Sequence, residues 1–338
     1  MYHEHTIAAV VTAYNEEGLV GNVIDKIPSF VDHVYAIDDC STDGTWEEIL
    51  SRKTTHTQPH MEAEAEGAEA MEADGGQSEP TVIPIQHEEN QGVGGAIKTG
   101  YKIALQNDID ITAVINGDGQ MDPGILSRFV DPIASGTADY VKGNRLYTGG
   151  HAEEMSTWRL SGNAILTFLT KITSGYWKMN DPQNGYTAIS LNALRRIDIS
   201  SLYDDYGFLN DLLVHLNVHN LRIADVEMKA KYGQEESGIK YHQFVPKLSF
   251  LLLSRFLWRL KHKYIIRDFH PLVLMYLLGT IGLSGAVAGM IWSVLVSNSL
   301  GLSILLSGMF LLLSSSLILQ AVMLDMRYNE SIENHIRH

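Results

Sequence analysis

From Pro271 to Leu324 the chain contains no Asp, Glu, Lys or Arg. A bilayer core takes about 20 apolar residues per helix, so a run this long is predicted to form two spans. Leu272 to Val296 is the first and Leu300 to Met323 the second, with a tight turn around residues 297–301. A helical hairpin inside a soluble core is the competing reading, and the run is long for it. No secretory signal opens the chain, because MYHEHTIAAVVTAYNEE turns polar after a short strand-like segment. Arg255, Arg259, Lys261, Lys263 and Arg267 precede the first span, and Arg327 and Arg337 follow the second. The connecting turn carries no basic residue, so the positive-inside rule predicts that both termini are cytoplasmic. The single cysteine, Cys40, excludes an internal disulfide and suits a reducing compartment.

The remaining residues carry all of the Asp, Glu, Lys and Arg, 40 acidic against 25 basic. Residues 54–80 hold much of the acid and almost nothing to bury, which predicts a disordered acidic insertion in a surface loop. A net charge of −15 argues against a general nucleic-acid binder.

Outside the insertion, apolar runs alternate with helical patterns. Thr6–Val11, Val34–Ile37, Thr81–Ile85 and Ile111–Ile115 read as buried strands, with helices from about Glu16, near Gly44 and from Gly92 to about Gln106. That order predicts an α/β fold on a parallel, doubly wound sheet. Each strand ends in a polar loop: AYNEE, DDCSTDGT, NQGVGG and NGDGQMDP. One such loop is an ordinary turn; four on one edge form a binding crevice.

Asp38 and Asp39 end the second strand, where nucleotide-binding sheets grip ribose, while Asp43 or Ser41 is placed to cap the next helix. A dinucleotide dehydrogenase would need G-x-G-x-x-G after the first strand, and AYNEEGLVG lacks it. The glycines of Gly92–Gly95 are expected to permit close helix packing. Asp118 and Gln120, one residue apart, could face one hard cation, Mg²⁺ or Mn²⁺, whose remaining ligands a diphosphate would supply.

The ordered set TAYNEE, DDCSTDGT, NQGVGGAIKTG, NGDGQMDP, KGNR and DPQNGY resembles family-2 glycosyltransferases of the GT-A fold, and within them the dolichyl- or polyprenyl-phosphate sugar synthases. The resemblance covers the soluble part apart from the insertion. It implies a mostly parallel GT-A sheet followed by an amphipathic interfacial helix and two C-terminal transmembrane helices. It further implies that Thr12, Tyr14, Glu16, Ile37, Asp39, Asn116, Gly117 and Asp118 bind the donor, with Asp118 and Gln120 on the metal. Arg145 of KGNR would approach the donor phosphates, and Lys231 stands where relatives carry Arg over the pyrophosphate. Asp181, Gln183, Asn184 and Lys240 would border the acceptor, and Asp211 falls where relatives place a general base. Asn116 replaces the first Asp of the common D-x-D, and the loop after Lys231 carries an extra residue before Ser237.

A lipid monophosphate acceptor is already an anion near neutral pH, with a second pKa of about 6, and needs no strong base. The implied activity is metal-dependent, inverting transfer of a hexose from a nucleotide sugar, of the GDP-mannose or UDP-glucose type, to dolichyl or polyprenyl phosphate. A processive polysaccharide synthase lacks its Q-x-x-R-W motif here, a transferase to a hydroxyl would need Asp211, and a degenerate membrane adaptor would not need the acidic loops.

Residues 243–270 join the two parts. Leu253, Phe256, Leu257, Leu260 and Tyr264 fall on one helical face and Arg255, Arg259 and Lys263 on another, which predicts an interfacial helix with its basic face toward headgroups. The predicted organisation is therefore a GT-A domain over 1–242, this helix, a two-helix anchor over 271–325 and a cytoplasmic tail over 326–338. A cut after about Asp268 is expected to spare donor binding. Deleting residues 56 to 78 is expected to leave transfer nearly unchanged, since the segment buries nothing. A large loss of activity in a still-folded deletion variant would show that the insertion shapes the site.

Overall fold

β1 (Ile7–Ala13) reads IAAVVTA, and all seven residues are buried, which only a central strand covered on both faces allows. Strand alternation sends Ile7, Ala9 and Val11 to one side of the sheet and Ala8 and Val10 to the other. The computed structural model describes residues 2–53, 79–145, 157–229, 241–295 and 300–335. Most of the acidic insertion, Lys231, Lys240, Arg337 and most of the inter-span turn fall outside them.

Along the chain β1 is followed by α1 (Val20–Asp25), β2 (His33–Asp38), α2 (Thr45–Leu50), β3 (Thr81–Gln86), α3 (Gly92–Gln106), β4 (Ile111–Asn116), α4 (Ser127–Ala134) and β5 (Tyr140–Asn144). Then come α5 (Thr157–Ser174), β6 (Thr187–Ser190), α6 (Leu191–Arg196), α7 (Phe208–Val218), β7 (Ile223–Glu227), α8 (Tyr241–Lys261), α9 (Leu272–Leu295), α10 (Leu300–Asn329) and β8 (Glu333–His335). A π-helical turn, His262–Arg267, extends α8. The predicted strands and the helix from Gly92 are all present, but α1 starts only at Val20, because residues 16–19 form the turn that carries the first polar loop.

The sheet runs β3-β2-β1-β4-β6-β5-β7-β8. It is mixed rather than parallel throughout, since β6 lies antiparallel between β4 and β5. That reversal has a functional result: β6 begins where β4 ends, Val114 facing Thr187, so the loop before β6 reaches the same edge as the loops after β1, β2 and β4. α1 and α4 cover one face, α3 and α7 the other. α3 lies so close to β1 that a Cβ on Gly100 would sit 2.5 Å from a Val10 methyl. The expected packing role of the GVGG glycines holds as well. A Cβ on Gly94 would meet the Asp204 backbone at 2.7 Å.

α9 and α10 are long and apolar enough to cross a bilayer and pack on each other through small residues, Gly282 against Ser314 and Gly289 against Ser307. Their junction with the sheet departs from expectation. Arg255, Arg259 and Lys263 turn toward protein instead of headgroups, because each finds fixed acceptors there. Arg259 is 0% exposed and pairs with Asp325 of α10, Nη1 to Oδ1 at 2.8 Å and Nη2 to Oδ2 at 3.0 Å. Its Nε and Nη2 also donate to the carbonyls of Thr173 and Ile172 at the end of α5, at 2.8 and 2.9 Å. Trp177 Nε1 donates to the other side of Asp325 at 3.1 Å. Lys263 donates to the carbonyl and side-chain oxygens of Asn217 at 2.9 and 2.8 Å and to Asn329 Oδ1 at 2.6 Å. The exposed residues of α8 include the apolar Phe250, Leu253 and Leu257, beside Lys247, Ser249 and Lys261.

The chain beyond the second span is no free tail. α10 continues through the expected boundary at 325, and β8 then pairs in parallel with β7, Ile223 facing Glu333. Glu333 Oε2 accepts from the Lys178 amide at 2.6 Å. A cut after Asp268 therefore removes the partners of Arg259, Lys263 and Lys178, and it should destabilise the sheet domain rather than spare it. Asp325→Ala, which orphans a buried guanidinium, is expected to cost about 3–5 kcal/mol. The apolar pair Arg259→Met with Asp325→Leu should recover most of that loss. Thermal unfolding of the full chain in detergent checks both; equal destabilisation by the single and double variants would deny the pair its role.

Candidate active site

Register brings the site together. Thr12 faces Ile37 on β2 and Asn116 on β4, and Ala13 faces Asp38, so three strands end in one row. The ladder runs one step further, with the Asp39 amide on the Ala13 carbonyl at 2.9 Å and the Gly117 amide on the Thr12 carbonyl at 2.8 Å. At that point three polar loops leave the sheet together.

The first two brace each other. Asn15, at φ +57°, accepts from the Thr42 amide at 2.8 Å, Thr45 Oγ1 accepts from the Glu16 amide at 2.8 Å, and Glu17 Oε2 accepts from the Gly44 amide at 3.1 Å. The N-cap of α2 is Gly44 rather than the expected Asp43 or Ser41; Asp43, one residue earlier, still accepts from the first helical amide, Thr45, through Oδ1 at 3.1 Å. Asp38 is consumed within the fold by the Ser41 amide and Gln86 Nε2. Asp39 is different. One carboxylate oxygen, Oδ1, is held by His87 Nδ1 at 2.7 Å and the Gln91 amide at 2.9 Å. Among the described residues nothing hydrogen-bonds Oδ2, and Asp39 lines a crevice. His87 is itself set by Thr99 Oγ1 at 2.9 Å. Sequence reasoning missed His87; it sits one residue past β3, in line with the other strand ends.

The crevice, about 460 Å³, is large enough for a nucleotide-sized ligand. Thr12, Tyr14, Glu16, Asp39, Asn116, Asp118 and Gln183, all anticipated, line it, together with Asp205, Tyr206, Phe208 and Leu209 from the start of α7 and the loop before it. Its described lining includes the carboxylates of Glu16, Asp39, Asp118 and Asp205 and no Lys or Arg.

Asp118 Oδ1 accepts from the Gln120 amide at 2.9 Å, leaving Oδ2 and the Asn116 carboxamide without partners among the described residues. One carboxylate and one amide oxygen suit a hard cation whose other ligands are phosphate oxygens and water. Gln120, expected as the second ligand, is half-buried and outside the lining; its part is the backbone bond that fixes Asp118.

Several expected site residues are placed elsewhere. Ile37 is 0% exposed, turned by strand alternation into the core with Val10 and Tyr35. Gly117 serves through its backbone bond to Thr12. Arg145 is taken up by Asp181, Nε to Oδ2 at 2.7 Å and Nη2 to Oδ1 at 2.8 Å. Burial opposes that charge, yet the Arg145 hydrogen bond and charge hold the Asp181 carboxyl below its ordinary range. Asn184 is buried and spent on Asp181, Met228 and the Tyr186 amide. None of these five lines the crevice. Lys231 and Lys240 lie outside the described residues.

Asp211, the expected base, is also absent from the lining. It faces α8, where Oδ2 accepts from Arg255 Nη2 at 2.9 Å and Oδ1 lies 2.8 Å from Arg255 Nε in an ion pair. Burial pushes its carboxyl up to about 6 against the pull of Arg255. Neighbouring His215 stacks on Trp258 of α8, and burial with the charge of Arg255 holds its imidazole down at about 4.

Comparison with known proteins agrees with this geometry. The profile of the family described as glycosyl transferase family 2 matches residues 8–198. The UDP-N-acetylglucosamine–dolichyl-phosphate N-acetylglucosaminyltransferase of Methanococcus voltae is 29% identical over 229 residues, covering 68% of this chain and 86% of that one. The undecaprenyl-phosphate mannosyltransferase of Micrococcus luteus is 27% identical over 230 residues, covering 65% and 81%. Among solved structures, glucosyl-3-phosphoglycerate synthase from Mycobacterium tuberculosis superposes with a TM-score of 0.51 at 19% identity, over 75% of this chain and 81% of that one. That likeness speaks for the fold alone. The same synthase has been solved with Mn²⁺, UDP-glucose and phosphoglyceric acid, with a TM-score of 0.50 at 20% identity over 76% and 80% of the two chains. The mixed GT-A-type sheet, the acidic crevice at its carboxyl edge and a family match over more than half the length lead to one assignment: this chain belongs to glycosyl transferase family 2.

Proposed function

We propose that this glycosyltransferase moves a hexose from a nucleotide sugar, of the GDP-mannose or UDP-glucose type, to the phosphate of a dolichyl or polyprenyl lipid. Transfer would use Mg²⁺ or Mn²⁺ and invert the anomeric centre. The charge of the crevice carries this reading. Like charges about 4 Å apart repel by about 4 kcal/mol at a near-surface dielectric, so a diphosphate among Glu16, Asp39, Asp118 and Asp205 needs a cation beside it. Asp118 Oδ2 and Asn116 would hold that cation, which when bound would offset charge on the departing nucleoside diphosphate.

The chain's own residues supply placement. Asp39, clamped through Oδ1, offers Oδ2 to an N–H or hydroxyl of the nucleoside. Gln183 donates to Asn210 Oδ1 at 2.9 Å, and Asn210 donates to Thr170 Oγ1 at 2.7 Å, so the opposite wall presents an oriented neutral amide. A phosphate oxygen entering there forms the bond to the anomeric carbon as the bond to the donor phosphate breaks, in line and without proton abstraction. The names of the two relatives, both transferases to polyprenyl-type phosphates, support that acceptor. So do the exposed Phe250, Leu253 and Leu257 of α8 and Ile165 and Phe168 of α5, an apolar skirt suited to the bilayer interface. The basic residues near the spans favour a cytoplasmic catalytic face.

Asp118→Ala is expected to abolish transfer with the melting temperature unchanged, and Asn116→Asp to keep activity or tighten Mn²⁺ binding. Activity that persists in EDTA would sink the cation role. His87→Ala should raise the donor KM by about tenfold, since it frees Asp39 at the cost of one charged hydrogen bond. The acceptor is tested by following radiolabelled sugar into full-length polyprenyl phosphate and into a free saccharide. If only the saccharide accepts, the lipid-phosphate assignment fails, and Asp205, the carboxylate on that wall, becomes the base to mutate.

A further inference from the structure

Asp211 and Arg255 are buried chemistry that transfer as described does not use. Asp211 is 1% exposed; besides His215 on its own helix, whose Nε2 lies 3.4 Å from Oδ1, it makes two contacts. Its Oδ2 accepts from the Tyr203 amide at 2.9 Å, and the same carboxylate pairs with Arg255 of α8. Arg255 Nη2 also donates to the Ser201 carbonyl at 3.1 Å. The two side chains thus join the helix with the exposed apolar face to the segment 201–209, whose Asp205, Tyr206, Phe208 and Leu209 wall the crevice.

Packing points the same way independently. Leu248, Leu251 and Leu252 of α8 enclose Tyr203, and a Cβ on Gly207 would lie 2.3 Å from Leu251 Cδ2. On its other side the segment is tied to the sheet domain. Lys98 Nζ donates to the Ser200 and Leu202 carbonyls at 3.2 and 2.9 Å and to Asp204 Oδ1 at 2.6 Å. The wall is held between α3 and α8.

We propose that Asp211 and Arg255 are positioning residues whose ion pair fastens α8 to the 201–209 wall, so that the seating of the membrane-side helix sets the shape of the crevice. The kinetic half of the test rests on the crevice being the donor site; the structural half does not.

Both halves use the full-length protein in lipid nanodiscs. In Arg255→Met, amide exchange at Tyr203–Gly207 should quicken by about tenfold or more, because the wall loses its α8 tether. The donor KM should rise by about tenfold with kcat little changed, the pattern of lost ground-state binding. Arg255→Lys should restore part of both. Asp211→Asn keeps an oxygen for the Tyr203 amide and should lower kcat by less than about tenfold, where loss of a general base costs about 10²–10⁴. Unchanged exchange and KM in Arg255→Met would overturn the proposal. So would a kcat loss above about a hundredfold in Asp211→Asn with wild-type exchange, the mark of a base. If no lipid phosphate accepts sugar, the exchange comparison still decides the matter, and the acceptor assignment alone falls.

Discussion

The guanidinium of Arg259 and the carboxylate of Asp325 are both fully buried, and they meet in two parallel hydrogen bonds. Desolvating two charges costs several kcal/mol each, and attraction repays this only when every remaining donor and acceptor is also used. Here they are used. Arg259 spends its other contacts on the end of α5, Asp325 takes Trp177 and Tyr264, and Lys263 and Asn329 close the network against Asn217 of α7. One pair therefore locks α5, α8 and α10 to one another. Such a junction tolerates little tilt, so the crevice is held at a fixed height and angle relative to the apolar hairpin. For an enzyme whose acceptor phosphate would sit at headgroup level, that geometry replaces a search through orientations.

The other end of the molecule obeys a different constraint, the register of β1 with β2 and β4. Because those strands end level, Asp39 and Asp118 arrive on one edge without any contact between them. Antiparallel β6 adds its own preceding loop, and with it Gln183, to the same edge. The site is an outcome of sheet topology, sharpened by one clamp, His87 on Asp39.

The parts of this design that were legible in the sequence are those governed by local pattern. Buried strands show as apolar runs and strand ends as polar loops, so Asp39, Asn116 and Asp118 could be singled out from one dimension, while Thr12, Tyr14 and Glu16 came from the family resemblance of the same loops. What escaped is pairwise. Arg145 and Asp181 read as separate ligands but neutralise each other, and Asp211 reads as a base until Arg255 from α8 is brought beside it. Nothing in the spacing of Arg255, Arg259 and Lys263 distinguishes a stripe facing lipid headgroups from one facing four carboxylate and amide partners distant in sequence, Asp211, Asp325, Asn217 and Asn329. His87 was invisible for the same reason, since its meaning lies wholly in Asp39 and Thr99.

β8 has an implication for how the molecule is made. Its partner β7 leaves the ribosome two long apolar helices earlier, α9 and α10. Throughout that interval the sheet presents a bare edge, open to wrong pairing. Domains of large chains tend to fold as they emerge, but this one cannot finish until α10 is made and its far end returns to β7. Correct placement of the hairpin is thereby written into the last rung of the ladder, and a chain whose hairpin goes astray carries an unfinished sheet.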